Sequence, residues 1–412
     1  MTLPIIAVAD RRLGRDWHRL WAAVGVSGLG DGAFVAALPL LATSATTDPA
    51  CIAAVSASGA AAWLLATLPA GALADRLDGR RVLAGTQYAQ ALLVLLVAML
   101  AVVHGHGVAA LCALAFALGI AETFAKSAVQ TLVPAVTPAY LLEKANGRQY
   151  ATQAVAREFL GPPIGVLLFV LATPLPFVVD ASTFGAAALL VTAMRVRAPA
   201  SPVPLRSHRT VRAEVAEGLR WLARHRLLRM FAVLAAAANL CNAMATATLV
   251  LFATQRLHLG PLGYGCLLAV MAVGAIVGSL VTARLVARWQ ARTTISIVIF
   301  LSPAAYLAIG LYGRHPYTVG AFAAVSTFAA SVWNVATISI RQRLVPPELL
   351  GRVSSVGLLI SFGAVPVGAL VGGMVAATLG LVAPWLVGGG IRMAVAVLAL
   401  PALRRMVAAE RG

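Results

Sequence analysis

Long apolar runs, each bounded by a cluster of charged or turn-forming residues, dominate this chain. They fall near 20–44, 51–74, 82–103, 108–133, 147–172 and 175–195, and a second set falls near 230–254, 262–287, 293–312, 317–340, 353–379 and 382–403. One bilayer crossing takes about 20 consecutive apolar residues. The pattern therefore predicts an all-α membrane protein of about twelve transmembrane helices.

Composition supports the same reading. Of 412 residues, 60% are hydrophobic and 11% charged, against roughly 45–50% and about 25% in soluble globular chains. At about 20 residues per crossing, such an apolar share fills about twelve spans and leaves almost nothing for a soluble domain. The net charge of +18 would suggest nucleic acid in a soluble protein. Here the cations sit in short gaps between apolar runs, so they report topology instead.

With the N-terminus taken as cytoplasmic, one face receives the N-terminal arginines, Arg76, Arg80, Arg81, Lys144, Arg148, the stretch from Arg195 to Arg229, Arg284, Arg288, Arg292, Arg341, Arg343, Arg352, Arg404 and Arg405. The other face receives only Arg256 and Arg314. The positive-inside rule then places both termini in the cytoplasm, which suits a multi-pass protein of a bacterial inner membrane. Arg11, Arg12, Arg15 and Arg19 precede an apolar run reaching Thr43, too long for a cleaved signal core of 7–15 residues. It is expected to be the first helix.

The longest polar stretch joins the two sets of runs. After Pro199, Pro202 and Pro204, residues Val211, Val215, Leu219 and Leu222 recur at helical spacing with Arg212, Arg220 and Arg224 on other faces. This describes an amphipathic helix lying on an anionic leaflet. The expected organisation is a six-helix bundle over 1–197, a cytoplasmic linker over 198–229 and a second bundle over 230–412. Short echoes link the halves: Gln130-Thr-Leu-Val-Pro134 returns as Gln342-Arg-Leu-Val-Pro346, and Pro163-Ile-Gly165 as Pro366-Val-Gly368. Both offsets approximate half the chain, as two parallel repeats require.

The segment Gly71-Ala-Leu-Ala-Asp75-Arg76-Leu77-Asp78-Gly79-Arg80-Arg81 resembles the loop signature of the major facilitator superfamily, with Asp78 and Gly79 where that family carries Gly-Arg. Gly28-Leu-Gly-Asp31, Ala37-Leu-Pro-Leu-Leu41, Gly119-Ile-Ala-Glu122, Asn146-Gly147, Gly161-Pro-Pro-Ile-Gly165 and Gly351-Arg-Val-Ser354 together are similar to the branch holding the enterobactin exporter and macrolide efflux proteins. The resemblance implies the two-bundle fold and export of a small molecule. It gives Gly71, Asp75, Arg76 and Arg80 to a conformational loop in which Asp75 answers cations and a helix dipole. Gly161, Pro162 and Gly165 resemble the fifth-helix antiporter motif, where glycines allow close helix approach and proline kinks the rod. Many drug–proton antiporters of the superfamily have an arginine in the fourth helix. This sequence has none between Gly107 and Pro134; Lys126 is the candidate replacement.

An ionisable side chain at mid-bilayer costs roughly 2.5–3.5 kcal/mol and is a functional candidate by default. Asp31, Glu122, Glu158 and Asp180 qualify. Asp31 stands near the middle of the first helix among Gly28, Gly30 and Gly32, and a carboxylate poised there between burial and nearby cations can carry a proton. A packing role is its alternative. Glu122 and Lys126 are one turn apart and able to pair. Arg157 and Glu158 point apart, so each needs a partner elsewhere and both suit gating. Asp180, close to Pro174 and Pro176, reads as an interfacial cap. Arg392 lies mid-run in the last helix and either snorkels or pairs. Asn239, Asn242, Trp333 and Asn334 lie in runs that line the cavity in the resembled fold. They offer hydrogen bonds and stacking without charge, although asparagines also tie helices together.

No phosphate-binding G-x-x-x-x-G-K-[ST] or nucleophile-elbow G-x-S-x-G occurs, so neither ATP hydrolysis nor other enzyme chemistry is expected. Cys51, Cys112, Cys241 and Cys266 are scattered and His104-Gly-His106 falls in a gap; neither metal nor cofactor is expected. An ion gradient is the remaining drive. One charge moved through 100 mV supplies about 2.3 kcal/mol, a roughly 40-fold concentration ratio. The leading expectation is proton-coupled efflux of a drug, antibiotic or siderophore by a monomer, with the bilayer, protons and a small molecule as partners and no nucleic acid. A non-transporting receptor or scaffold, an uptake permease and a lipid flippase are the alternatives.

Overall fold

A computed structural model describes residues 13–74, 77–103, 107–195, 211–345 and 347–409. No strand occurs among the described residues. The helices are α1 (Arg15–Ala45), α2 (Pro49–Ala74), α3 (Gly79–Val102), α4 (Val108–Val136), α5 (Leu142–Gln153), α6 (Gly161–Leu171), α7 (Leu175–Thr192), α8 (Val211–Arg224), α9 (Arg226–Thr246), α10 (Leu249–Leu251), α11 (Pro261–Tyr312), α12 (Pro316–Leu344), α13 (Pro347–Leu379) and α14 (Ala383–Ala409). A π turn over Ala154–Leu160 makes α5 and α6 one rod. Helices satisfy every backbone group internally, the condition for residing in lipid. Hydroxyls inside the rods turn back on preceding carbonyls for the same reason, as with Ser58 on Ala54 at 2.7 Å and Thr282 on Gly278 at 2.7 Å.

Among the described residues eleven helices are long and apolar enough to cross a membrane, where the pattern predicts about twelve runs. The difference lies in α11, whose 52 residues absorb the runs near 262–287 and 293–312. Its helical geometry breaks at Gln290 (φ 66°, ψ 151°), a positive φ that a side chain rarely adopts. Thr327 of α12 donates to the Met271 carbonyl at 2.7 Å, and the adjacent Ser326 meets Ser302 at 3.0 Å. In a straight helix Met271 and Ser302 would be about 46 Å apart at 1.5 Å per residue. Both touch one spot on α12, so the chain reverses at Gln290.

Helix α1 packs on α6 and α7, α2 on α4, and α3 on α4 and α7; α9 packs on α13 and α14, and α11 on α12 and α14. The two groups meet through α2 with α13 and through α6 with α11. Each group repeats one tight crossing. Gly165 of α6 lies on the Ala33 backbone of α1, and Gly368 of α13 lies on the Leu240 backbone of α9. No Cβ fits at either glycine, so the spacing of the matched Pro-x-Gly segments is enforced by backbone contact.

The apolar core shows how the groups are joined. Toward the C-terminal end of α1 a single cluster runs from Leu40, Leu41 and Ile52 to Val250, Phe252 and Trp385. Toward its N-terminal end no cluster spans the two groups, and the two largest there are separate. One holds Leu20, Leu83, Leu132 and Val191; the other holds Leu222, Phe231, Ile299 and Val353. The bundle is therefore sealed at one end and parted at the end from which α1 begins.

Leu222 of α8 belongs to that second cluster, and α8 packs on α13. The side of α8 carrying Leu222 is taken up by protein, while Leu219 is exposed.

Candidate functional site

Two sites emerge, one in each group of helices. The first is ionic. Asp31 lies midway along α1, Glu122 and Lys126 lie on α4, and Arg157 lies in the π turn. Arg157 Nη1 is 2.6 Å from Glu122 Oε1 and 3.5 Å from Asp31 Oδ2, while Lys126 Nζ is 2.8 Å from the same Glu122 oxygen. Two carboxylates and two cations make a formally neutral quartet. Side-chain exposures of 21% for Asp31, 28% for Glu122 and 30% for Arg157, against 50% for Lys126, identify Arg157 as the inner cation.

Small residues make this meeting possible. A Cβ at Gly32 would stand 2.9 Å from the Gly161 Cα and would overlap the Arg157 carbonyl, so glycine at that position lets the π turn lie flush against α1. π turns widen a helix and recur at functional positions. Arg157 and Glu158, paired as gating residues by the sequence reading, separate here: Arg157 joins Asp31 and Glu122, whereas Glu158 is exposed.

Asp180 is a correction. It is 1% exposed within α7 and does not cap an interface. Pro176 lies inside the first turn of α7, so Asp180 falls deeper in the bundle, where Gly30 of α1 leaves it room. Thr183 Oγ1 stands 3.4 Å from its Oδ1, and among the described residues its Oδ2 has no hydrogen-bond partner. A buried, unsatisfied carboxyl oxygen is costly. Asp180 is the acidic residue whose depth the sequence reading missed; its place in an apolar run was the available signal.

The second site is a cavity of about 420 Å³ built only from α8, α9, the second span of α11, α12, α13 and α14. It lies toward the parted end of the bundle. Asn239, Trp333 and Asn334 line it. Asn239 is tied down by donating to the Ser361 carbonyl at 3.0 Å, and Trp333 meets Phe231 edge to face at 5.4 Å. Asn242 does not line it. One turn beyond Asn239, it accepts a hydrogen bond from Tyr306 Oη at 2.9 Å, so it is a strut for that ring. The sequence reading left Arg392 unassigned and gave Arg341 to topology; both line the cavity.

The loop signature is only partly visible. Asp75 and Arg76 lie outside the described residues, as do His104 and His106. Gly71 is in the last turn of α2, and Arg80 is in the first turn of α3. Asp78 caps α3, accepting from the Arg80 N–H at 3.0 Å. The Arg80 guanidinium reaches the last carbonyls of α7, Val191 at 3.2 Å and Thr192. Arg19 donates to the Ala193 carbonyl at 2.7 Å. Cations there satisfy unpaired carbonyls and oppose the helix dipole. Among the described residues no group of three or more His, Cys, Asp and Glu could hold a metal ion.

Comparison with known proteins agrees with this architecture. The chain is 26% identical over 377 residues to the multidrug efflux pump Tap of Mycolicibacterium fortuitum, covering 89% of this chain and 90% of that protein. It is 27% identical over 375 residues to the Tap pump of Mycobacterium tuberculosis, covering 87% and 86%. In fold it resembles the nucleoside transporter NupG, with a TM-score of 0.71 at 13% identity over 95% of this chain and 99% of that one. It also resembles an inward-facing bacterial homologue of the iron transporter ferroportin, with a TM-score of 0.68 at 14% identity over 93% and 98%. The family model described as Major Facilitator Superfamily matches residues 20–363. Matched over most of its length by that model, this chain of membrane-spanning helices belongs to the major facilitator superfamily of transporters.

Proposed function

We propose that this transporter exports a small organic molecule in exchange for protons by alternating access. The observation that carries the reading is Arg157, held between Asp31 and Glu122 in the middle of a membrane-spanning bundle and seated on α1 through Gly32. Glu122 holds two cations at short range, whereas Asp31 holds Arg157 at 3.5 Å and is the weaker link. Adding a proton to Asp31 removes its attraction for Arg157. The π turn is then free to shift on α1, and α6 carries that shift to α11 across the interface between the groups. Asp180, buried against Gly30 one residue from Asp31, is a second carboxyl within the same device.

In this reading the eleven rods, with α11 reversing at Gln290, make twelve crossings. Residues 1–197 and 230–412 form the two moving bundles, 198–229 tether them, and both termini are cytoplasmic. The parted end then faces the cytoplasm, which is the loading state of an exporter. The multidrug efflux name carried by the Tap relatives supports the export direction. A monomer suffices, because both sites lie within one chain.

Asp31→Asn tests the proposal. In everted vesicles it should abolish pH-gradient-driven transport, a loss of at least about 100-fold, while leaving substrate binding to the second-half cavity intact. Full gradient-driven transport by Asp31→Asn would overturn the role of Asp31.

A further inference from the structure

We propose that the second-half cavity takes an amphiphilic organic anion, with Arg392 holding its acidic group and Trp333, Phe231 and Phe362 covering its apolar body. This rests on the transporter reading above and names the class of its cargo.

Among the described residues that line the cavity there is no aspartate or glutamate, and there are two arginines, Arg392 and Arg341. Along α12, Arg341 is about 22 Å from Ser326 at 1.5 Å per residue, and Ser326 bonds to Ser302, the partner of Arg392. The two cations therefore mark opposite ends, Arg392 deep and Arg341 at the mouth. A compact cargo meets one guanidinium at a time.

Arg392 is prepared for an anion. Among the described residues no ion pair involves it. Its contacts are neutral: Nη2 donates to Ser302 Oγ at 2.5 Å, and its guanidinium lies 4.6 Å from the centre of the Tyr306 ring. That ring is fixed in turn by Trp385 at 5.0 Å and by the bond from its hydroxyl to Asn242. A guanidinium has five N–H donors in a rigid fork that suits carboxylate, sulfonate or phosphate. With one donor given to Ser302 and the fork immobilised on an aromatic shelf, remaining donors are available to the cavity that Arg392 lines. A charge at this depth without a counter-ion is expensive, so an anionic cargo is more strongly selected than a neutral one. A cationic one is repelled.

The rest of the wall is alkyl or aromatic apart from a few hydroxyl and amide groups. Trp333 is braced by Phe231, and Phe362 meets Trp63 of α2 at 5.6 Å. The last contact joins the cargo site to the first group of helices, so occupancy can be felt across the interface. Exchange of a monoanion for one proton moves two elementary charges, and the membrane potential then assists export directly.

The test uses the purified full-length transporter and three radiolabelled probes of nearly equal shape: 1-naphthoate, 1-naphthylmethanol and 1-naphthylmethylammonium. Naphthoate should bind at least tenfold tighter than the ammonium probe. Arg392→Gln should erase that preference while leaving the neutral alcohol within twofold, which also reports that the variant is folded; Arg392→Lys should keep part of the preference. Absence of naphthoate binding at millimolar concentration, equal or tighter binding of the ammonium probe, or unchanged naphthoate binding by Arg392→Gln overturns the inference. Flux in proteoliposomes separates this from failure of the transport reading. If naphthoate binds through Arg392 but no probe crosses under a gradient, the anion site stands and transport fails; if only the ammonium probe crosses, transport stands and the anion site fails.

Discussion

Each group of helices carries an arginine deep in the bundle, and the two are held in opposite ways. Arg157 sits between two carboxylates at 2.6 and 3.5 Å. Arg392 sits on a tyrosine ring and a serine hydroxyl. The backbone frame around them is repeated, down to Gly165 on Ala33 and Gly368 on Leu240, but the chemistry is not. Packing makes the same demand at both crossings, while the polar residues beside them differ. In the proposed cycle the first half keeps its charges paired internally, where a proton can unpair them. The second half leaves a cation for the cargo to pair.

The sharpest way to break this comparison is to remove the first arginine. Arg157→Met strands Asp31 and Glu122, leaving only Lys126 among the described residues paired with either. Removing one partner of a buried pair costs about 3–5 kcal/mol, and the partial exposure of this cluster places the effect near the lower end, about 3 kcal/mol. SDS-titrated unfolding followed by circular dichroism measures it; a change under about 1 kcal/mol would mean that the pairs are not holding α1, α4 and α6 together. Next in size are the shared crossings. Gly165→Ala puts a methyl 2.5 Å from the Ala33 Cα, and Gly368→Ala drives one into the Leu240 backbone. Neither contact can swing aside, so each should cost about 1–3 kcal/mol by overpacking. Equal losses in the two halves would confirm that the frame is common to both, and a loss confined to one would deny it.

Much of the frame was readable from the residues, because lipid makes one demand of every span: apolar length with internal hydrogen bonding. Asp31 and Glu122 stood out for the converse reason, being charged where charge is expensive. Contacts between distant segments were less legible. That Arg157 would be the partner of both acids depended on the π turn lying flush at Gly32, and nothing local announces a π turn. Asp180 was misplaced because neighbouring prolines suggest an edge, whereas a glycine 150 residues earlier makes room for it inside. Asn242 was assigned to the cavity by its run, but one helical turn separates a wall position such as Asn239 from a strut. Arg392 carried the strongest unused signal, a mid-run cation, and its meaning needed the aromatic shelf that only the fold assembles.

Two smaller effects sharpen the contrast. Lys126 shares Glu122 with Arg157 but is half exposed, and exposed pairs contribute about 0.2–1 kcal/mol, less in salt. Lys126→Met should therefore lower stability by under about 1 kcal/mol, with the loss shrinking further in 0.5 M salt; a loss matching Arg157→Met would make Lys126 the central cation instead.

Arg392→Gln should change least, and for an informative reason. Removing a cation from mid-span relieves roughly 2.5–3.5 kcal/mol of insertion cost. Against that stand the contact with Tyr306, about 0.5–2 kcal/mol, and a charged hydrogen bond to Ser302, about 1.5–3 kcal/mol. The terms nearly cancel, so the ligand-free variant should unfold within about 1 kcal/mol of the parent in the same SDS titration. No carboxylate is left stranded, in contrast to the first half. A loss near 3 kcal/mol would show that Arg392 has a partner within the protein, and the two arginines would then be doing the same job.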